Sequence, residues 1–133
     1  MEVKIMDHNR STTVVEIFTA QAIVKDTTVY SQIFDVKQLA GNASLHITDL
    51  TGDGTGQFEW VGSNDEDADV EDFIKVNNAN DIVTAFTATS GPGADGAHIY
   101  PFSVRLVSRM AIKVTETTKT DDIAAMTAIL ALQ

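Results

Sequence analysis

The alternation that runs from Tyr100 to Val114 constrains this chain more than any other feature. Tyr100, Phe102, Val104 and Leu106 alternate with Pro101, Ser103, Arg105 and Val107; Met110, Ile112 and Val114 then alternate with Ala111, Lys113 and Thr115. A period of two sends one set of side chains to a buried face and the other set to the opposite face of a sheet. Polar residues 117–122 make a turn, and a last apolar run leads to Gln133. A chain whose main signal is sheet construction is expected to be a scaffold or a binding module.

Length and charge narrow the classes further. With 133 residues the chain suits a single domain able to bury a core without staples. It has no cysteine, so no disulfide framework or thiolate metal site is available. The start, Met1-Glu2-Val3-Lys4, lacks the apolar core of a signal peptide, so no export address is expected. The apolar run 128–132 is far shorter than the roughly 20 residues that span a bilayer. Nine basic and nineteen acidic residues give a formal charge of −10, which repels nucleic-acid phosphates and anionic lipid surfaces. Direct binding to nucleic acid or membrane is therefore not expected. Six acids crowd into Asp65, Glu66, Asp67, Asp69, Glu71 and Asp72, a run that reads first as a solvated loop.

Short extended segments separated by turn chemistry follow one another along the chain. Residues 13–24 carry Val14, Phe18 and Val24 on one parity and Val15, Ile17 and Ile23 on the other. That pattern predicts a strand covered on both sides, by its own core and by another layer or subunit. Further strands are expected over 29–36, 44–50, 57–61 and 82–89. Three glycines and an aspartate in residues 51–56 predict a tight or bulged hairpin connection, and Ser90–Gly96 (SGPGADG) predicts a surface loop. Residues 123–132 admit two readings. Thr120, Asp121 and Asp122 could cap a helix with Ile123, Met126, Thr127 and Leu130 at helical spacing, but a hairpin-like turn precedes them and a sheet closes best with a partner strand. Strand is the preferred reading. Eight or nine short strands at this spacing predict an all-β, antiparallel, jelly-roll-like sandwich over 13–133. Residues 1–12 form an arm or a short edge strand. Its apolar Met1, Val3, Ile5 and Met6 are the candidate interaction residues, either adding to a neighbouring chain or pairing with their own sandwich.

No catalytic constellation stands out. Asp49, Thr51, Asp53, Gly54, Thr55 and Gln57 resemble a calcium loop in spacing, but Trp60 holds the position of the bidentate glutamate, and a glycine-rich turn explains the pattern. His8, His46 and His98 share no ligand spacing, although separate strands can supply a cupin-like centre. Gly62-Ser63-Asn64 lacks the spacing of a nucleophile elbow. Phe58 and Trp60 share a parity and read as core; on an exposed face the same pair would stack on sugar rings.

Several segments carry a resemblance: Phe34-Asp35, Ser44-Leu45-His46-Ile47, Gly54-Thr55-Gly56-Gln57-Phe58-Glu59-Trp60, Ser63-Asn64-Asp65, Ile82-Val83-Thr84, Ser90-Gly91-Pro92-Gly93, Met110 to Thr117 and Ala131-Leu132-Gln133. In this order the chain resembles small β-sandwich virion structural proteins of tailed bacteriophages over residues 30–133. The resemblance implies a capsid cement or decoration role in the virion, after synthesis in the host cytoplasm. It also implies that the last segment is a strand, with no enzyme activity and no cofactor. The implied partners are the major capsid protein or other virion subunits, together with further copies of this chain. Residues 1–29 lie outside the resemblance, which leaves the mode of docking open. A carbohydrate-binding or fibre- or tail-associated module using the Trp60 face is the alternative, and a cupin-like metal enzyme comes after both.

Overall fold

In the computed structural model the described residues are 12–75, 81–104 and 107–133. They form nine strands: β1 (Thr13–Phe18), β2 (Thr28–Tyr30), β3 (Phe34–Asp35), β4 (Asn42–Gly52), β5 (Gly56–Ser63), β6 (Asp81–Phe86), β7 (His98–Ser103), β8 (Arg109–Glu116) and β9 (Ile123–Leu132). The pairing is antiparallel throughout and nested: β1 with β9, β2 and β3 with β8, β4 with β7, β5 with β6. The first half of the chain therefore meets the second half in reverse order, like one long ribbon. Wrapping that ribbon lays β4 against β9 and β5 against β8, giving one sheet ordered β1-β9-β4-β7 and another ordered β2-β8-β5-β6. This is the double-sheet jelly roll. The fold class expected from the sequence is the one found, and 123–132 is a strand.

The core lies between the sheets. Leu45, Ile47 and Leu50 on β4 and Met126, Ala128, Leu130 and Leu132 on β9 face Phe58 and Trp60 on β5 and Met110, Ile112 and Val114 on β8, all buried. Phe58 meets Phe86 edge-on at 6.1 Å, Phe86 meets Tyr100 at 6.1 Å, and Tyr100 meets His98 at 4.3 Å. This row of rings runs from β5 through β6 to β7 and so bridges the two sheets along one side.

Four expectations need correction. Residues 51–56 are not a hairpin, because β4 and β5 lie in different sheets. Their glycines serve a corner: a Cβ on Gly52 would come within 2.6 Å of the Ala124 nitrogen, and one on Gly54 within 2.8 Å of the Ile123 nitrogen. The polar turn 117–122 is likewise a corner between sheets, from β8 to β9, and β9 does not pair with β8. The strand expected over 13–24 ends at Phe18, after a register shift between Glu16 and Phe18. The shift moves Phe18 to the core side with Val15, Ile17 and Ile23, while Val14 and Val24 stay 64% and 59% exposed. Mixed parity thus reflects a bulge, and among the described residues β1 is covered on one side only. The single strand expected over 29–36 is interrupted at Ser31. Its amide donates to Ile112 O at 2.8 Å and its buried Oγ accepts the Ile112 N–H at 2.9 Å, so a hydroxyl replaces one rung between β2 and β3.

Candidate functional site

The expected interaction residues Met1, Val3, Ile5 and Met6, and His8 with them, lie outside the described residues. The other candidates can be placed. Trp60 is 1% exposed and Phe58 fully buried, so the pair fills the core and offers no platform for a sugar ring. His46 lies on the outward side of β4, whereas His98 lies on the inward row of β7, edge-on to Tyr100. Asp49 and Asp53 are exposed, and the amides of Gly54 and Thr55 are taken up by Asp122 O at 3.0 Å and Glu116 Oε2 at 3.0 Å. Among the described residues, no group of three or more His, Asp or Glu side chains is placed to hold a metal ion.

The acidic segment has a role that charge alone does not disclose. After β5 the chain crosses the outward side of the second sheet and returns to its edge, where Gly62 and Ile74 exchange backbone hydrogen bonds at 3.0 and 3.1 Å. Phe73 is pressed onto Val61 and Ala111, with Ile33, Ala68 and Val70 around them, as a second small core. Arg109 anchors the crossing. Its Nη1 donates to the carbonyls of Asp65, Glu66 and Ala68 at 3.0, 3.0 and 3.1 Å, and its guanidinium lies 5.3 Å from the centre of the Phe73 ring. The six acids themselves stay exposed, as a solvated run should. Four of them, Glu66, Asp67, Asp69 and Glu71, rim a cleft of about 500 Å³ that also touches Ser31, Gln32, Ile33 and Arg109.

Beside that flap sits a small ionic network. Glu59, 4% exposed, receives Lys75 Nζ at 2.7 Å; the same ammonium lies 3.1 Å from Asp81, whose other oxygen accepts from Gln57 at 3.3 Å. Hydrogen bonding to Glu59 and then to Asp81 raises the Lys75 pKa. Burial pushes Asp81 up, but the Lys75 ammonium and its other partners outweigh it and hold the carboxyl below the ordinary range. Burial, and then the acids Glu71, Glu59 and Asp72, raise the Tyr30 phenol on neighbouring β2.

Among the described residues the most heavily bonded side chain is Glu116, fully buried where the two corners meet. Its Oε1 accepts the N–H groups of Asp26 at 3.1 Å and Lys119 at 2.9 Å, and its Oε2 those of Thr55 at 3.0 Å and Thr118 at 2.8 Å. Burial alone would raise its pKa; the Thr55, Thr118 and Asp26 donors reverse that and hold it at about 2. This carboxylate ties three loops together and presents nothing to solvent, so it builds the fold. The alternation carried a sign of it, since Glu116 continues the inward parity of Met110, Ile112 and Val114. Val61 and Ala111 on the outward parity likewise signalled the flap. Nothing in the sequence pointed to Arg109 as its anchor.

No protein-family model matches this chain, and no curated protein does. Among solved structures it is similar to the SPBc2 prophage-derived protein YomS at 11% identity and a TM-score of 0.48, over 92% of this chain and 94% of that one. It is also similar, at 11% identity and a TM-score of 0.35, to a chain in the structure of infectious bursal disease virus Gx strain, covering 91% of this chain and 32% of the other. A third likeness, at 14% identity and a TM-score of 0.35, is to BpGH86A, a β-porphyranase of glycoside hydrolase family 86 from the human gut bacterium Bacteroides plebeius; it covers 90% of this chain and 20% of that one. Folds so distantly alike carry no activity from one chain to another.

Proposed function

We propose that this protein is a structural component of a bacteriophage virion, and that it acts as a capsid cement or decoration protein. The observation that carries this reading is a jelly roll filled by its own side chains, with its large aromatics Phe58, Trp60 and Phe86 buried and the six acids of 65–72 exposed to solvent. Such a molecule works through contact area. Docked across joints between shell subunits, it adds interface at each joint, and repetition over a closed shell multiplies modest affinities by avidity. A net charge of −10 fits a partner with basic or apolar patches, with charge complementarity guiding encounter and register. The carbohydrate-binding alternative loses its platform with the burial of Trp60.

The test is quantitative mass spectrometry of purified virions from the phage that encodes this chain. A copy number like that of the major shell protein is expected. Only a few copies per particle would reassign the chain to a tail or fibre, and absence from the particle would overturn the virion reading.

A further inference from the structure

The second sheet is covered on its outward side by the Phe73 flap, whereas no described residue folds across the outward side of the first. That side can be read from the register. One row runs Val14, Ala131, Ser44 across β1, β9 and β4; the next runs Glu16, Ile129, His46 and continues to Ile99 on β7. Val14 is 64% and Ile99 52% exposed. In a chain of net charge −10, these two rows contain one carboxylate, Glu16, whose Oε2 accepts from Thr19 Oγ1 at 2.5 Å. Two such chains repel each other least where acids are few, and these two rows, bounded by Asp49 on the row beyond, are such a place.

We propose that this face is an interface with a second copy of the same chain, related by a two-fold axis running along β9. The operation keeps each row and exchanges its flanks. β9 then lies on β9, β1 lies on β4 of the second copy, and Ile129 meets Ile129. Glu16 meets His46 of the second copy, and His46 meets its Glu16, so the one carboxylate in the rows is matched in both directions. Ile99, one strand further out, sits at the rim. Three strands about 4.8 Å apart, up to ten residues long at about 3.3 Å each, give a footprint on the order of 500 Å² per copy. A standard interface takes roughly 800 Å² per partner, so the expected dimer is micromolar rather than nanomolar. Self-association of this kind would hold whether or not the chain belongs to a virion.

Analytical ultracentrifugation of the full chain over a range of micromolar concentrations should show a monomer–dimer equilibrium. Ile129→Glu sets two carboxylates against each other at the axis and should weaken the dimer by roughly 100-fold or more. Thr84→Glu adds the same charge at an exposed position on β6, in the other sheet, and should leave it unchanged. Glu16→His should weaken it, and combining Glu16→His with His46→Glu should restore it. Circular dichroism melting of each variant shows that the fold is kept. A chain monomeric at every concentration overturns the proposal, as does equal loss in Ile129→Glu and Thr84→Glu. So does a dimer that survives Ile129→Glu and is lost on removing residues 1–10, which would move the contact to the N-terminal arm.

Discussion

Glu116 shows how one side chain decides a corner of this fold. Four N–H groups from three separate loops end on its two oxygens. In Glu116→Gln one oxygen becomes an NH₂ that points at two of those donors, leaving buried groups unmatched. The linkage sign is fixed by the direction of the shift. A carboxyl at 4.5 when unfolded and about 2 when folded stabilises the native state above pH 4.5, and this contribution is lost as the pH falls toward 2. Hydrogen bonds to a charged group contribute about 1.5–3 kcal/mol, so leaving two donors unmatched costs on the order of 3 kcal/mol at neutral pH. Glu116→Gln should therefore melt roughly 10 °C lower at pH 7, and the gap to the parent should close as the pH falls from 4.5 to 2. A gap independent of pH would mean that the carboxyl is not ionised in the fold. Trp60 makes a simpler case: as a 1% exposed core residue its emission should be blue-shifted and resist iodide quenching. Truncation to alanine should cost about 3–5 kcal/mol. A stable Trp60→Ala variant that loses a glycan affinity shown by the parent would return the sugar-binding reading.

At the scale of elements, the flap over the second sheet is held by Phe73, by the Gly62–Ile74 pair and by Arg109. Arg109 holds three carbonyls of the acidic segment with a single nitrogen while stacking near Phe73. Arg109→Ala should leave the jelly roll folded and release the flap, raising amide exchange across 65–73 and opening a protease site there. Arg109→Lys should rescue little, because an ammonium lacks the planar guanidinium that stacks on the ring. Unchanged exchange in Arg109→Ala would show that Phe73 alone holds the segment. The same elements show what the sequence made legible. Alternation located β4, β5, β8 and β9 to within a few residues: inward and outward positions differ in burial at most steps of β4 and β9, whereas in β5 and β8 the flap buries part of the outward row as well. It could not say which strand pairs with which. Glycine and aspartate at 51–56 are required equally by a hairpin and by a corner between sheets, and only the approach of residues 122–124 separates the two. A bulge in β1 and a hydroxyl rung at Ser31 break the period locally, so both neighbouring strands were drawn too long. The interaction residues assigned to the arm fall outside the described residues, and the outward row at Glu16, Ile129 and His46 becomes visible only once β1, β9 and β4 are known to be neighbours.

For the whole molecule the governing quantity is charge. An excess of ten acids on a chain of 133 residues lowers the stability of the compact state through self-repulsion, and any added cation relieves part of it. Calcium would then raise the melting temperature without binding at a site, so a calcium titration alone decides nothing. Comparison at matched ionic strength does, because screening depends on the ionic atmosphere while a site depends on the ion. The loop at Asp49 and Asp53 has its Gly54 and Thr55 amides committed to the neighbouring corner, and the acids of 65–72 point into solvent around a backbone held by Arg109. Neither arrangement offers the six to eight convergent oxygens that calcium takes. Melting in calcium chloride should therefore match melting in magnesium or sodium chloride of equal ionic strength to within about two degrees, and EDTA should change nothing beyond its own contribution to ionic strength. A rise specific to calcium of about ten degrees would establish a bound ion. Its position would follow from testing Asp53→Asn against Asp67→Asn, since only the variant at the true site would abolish the rise.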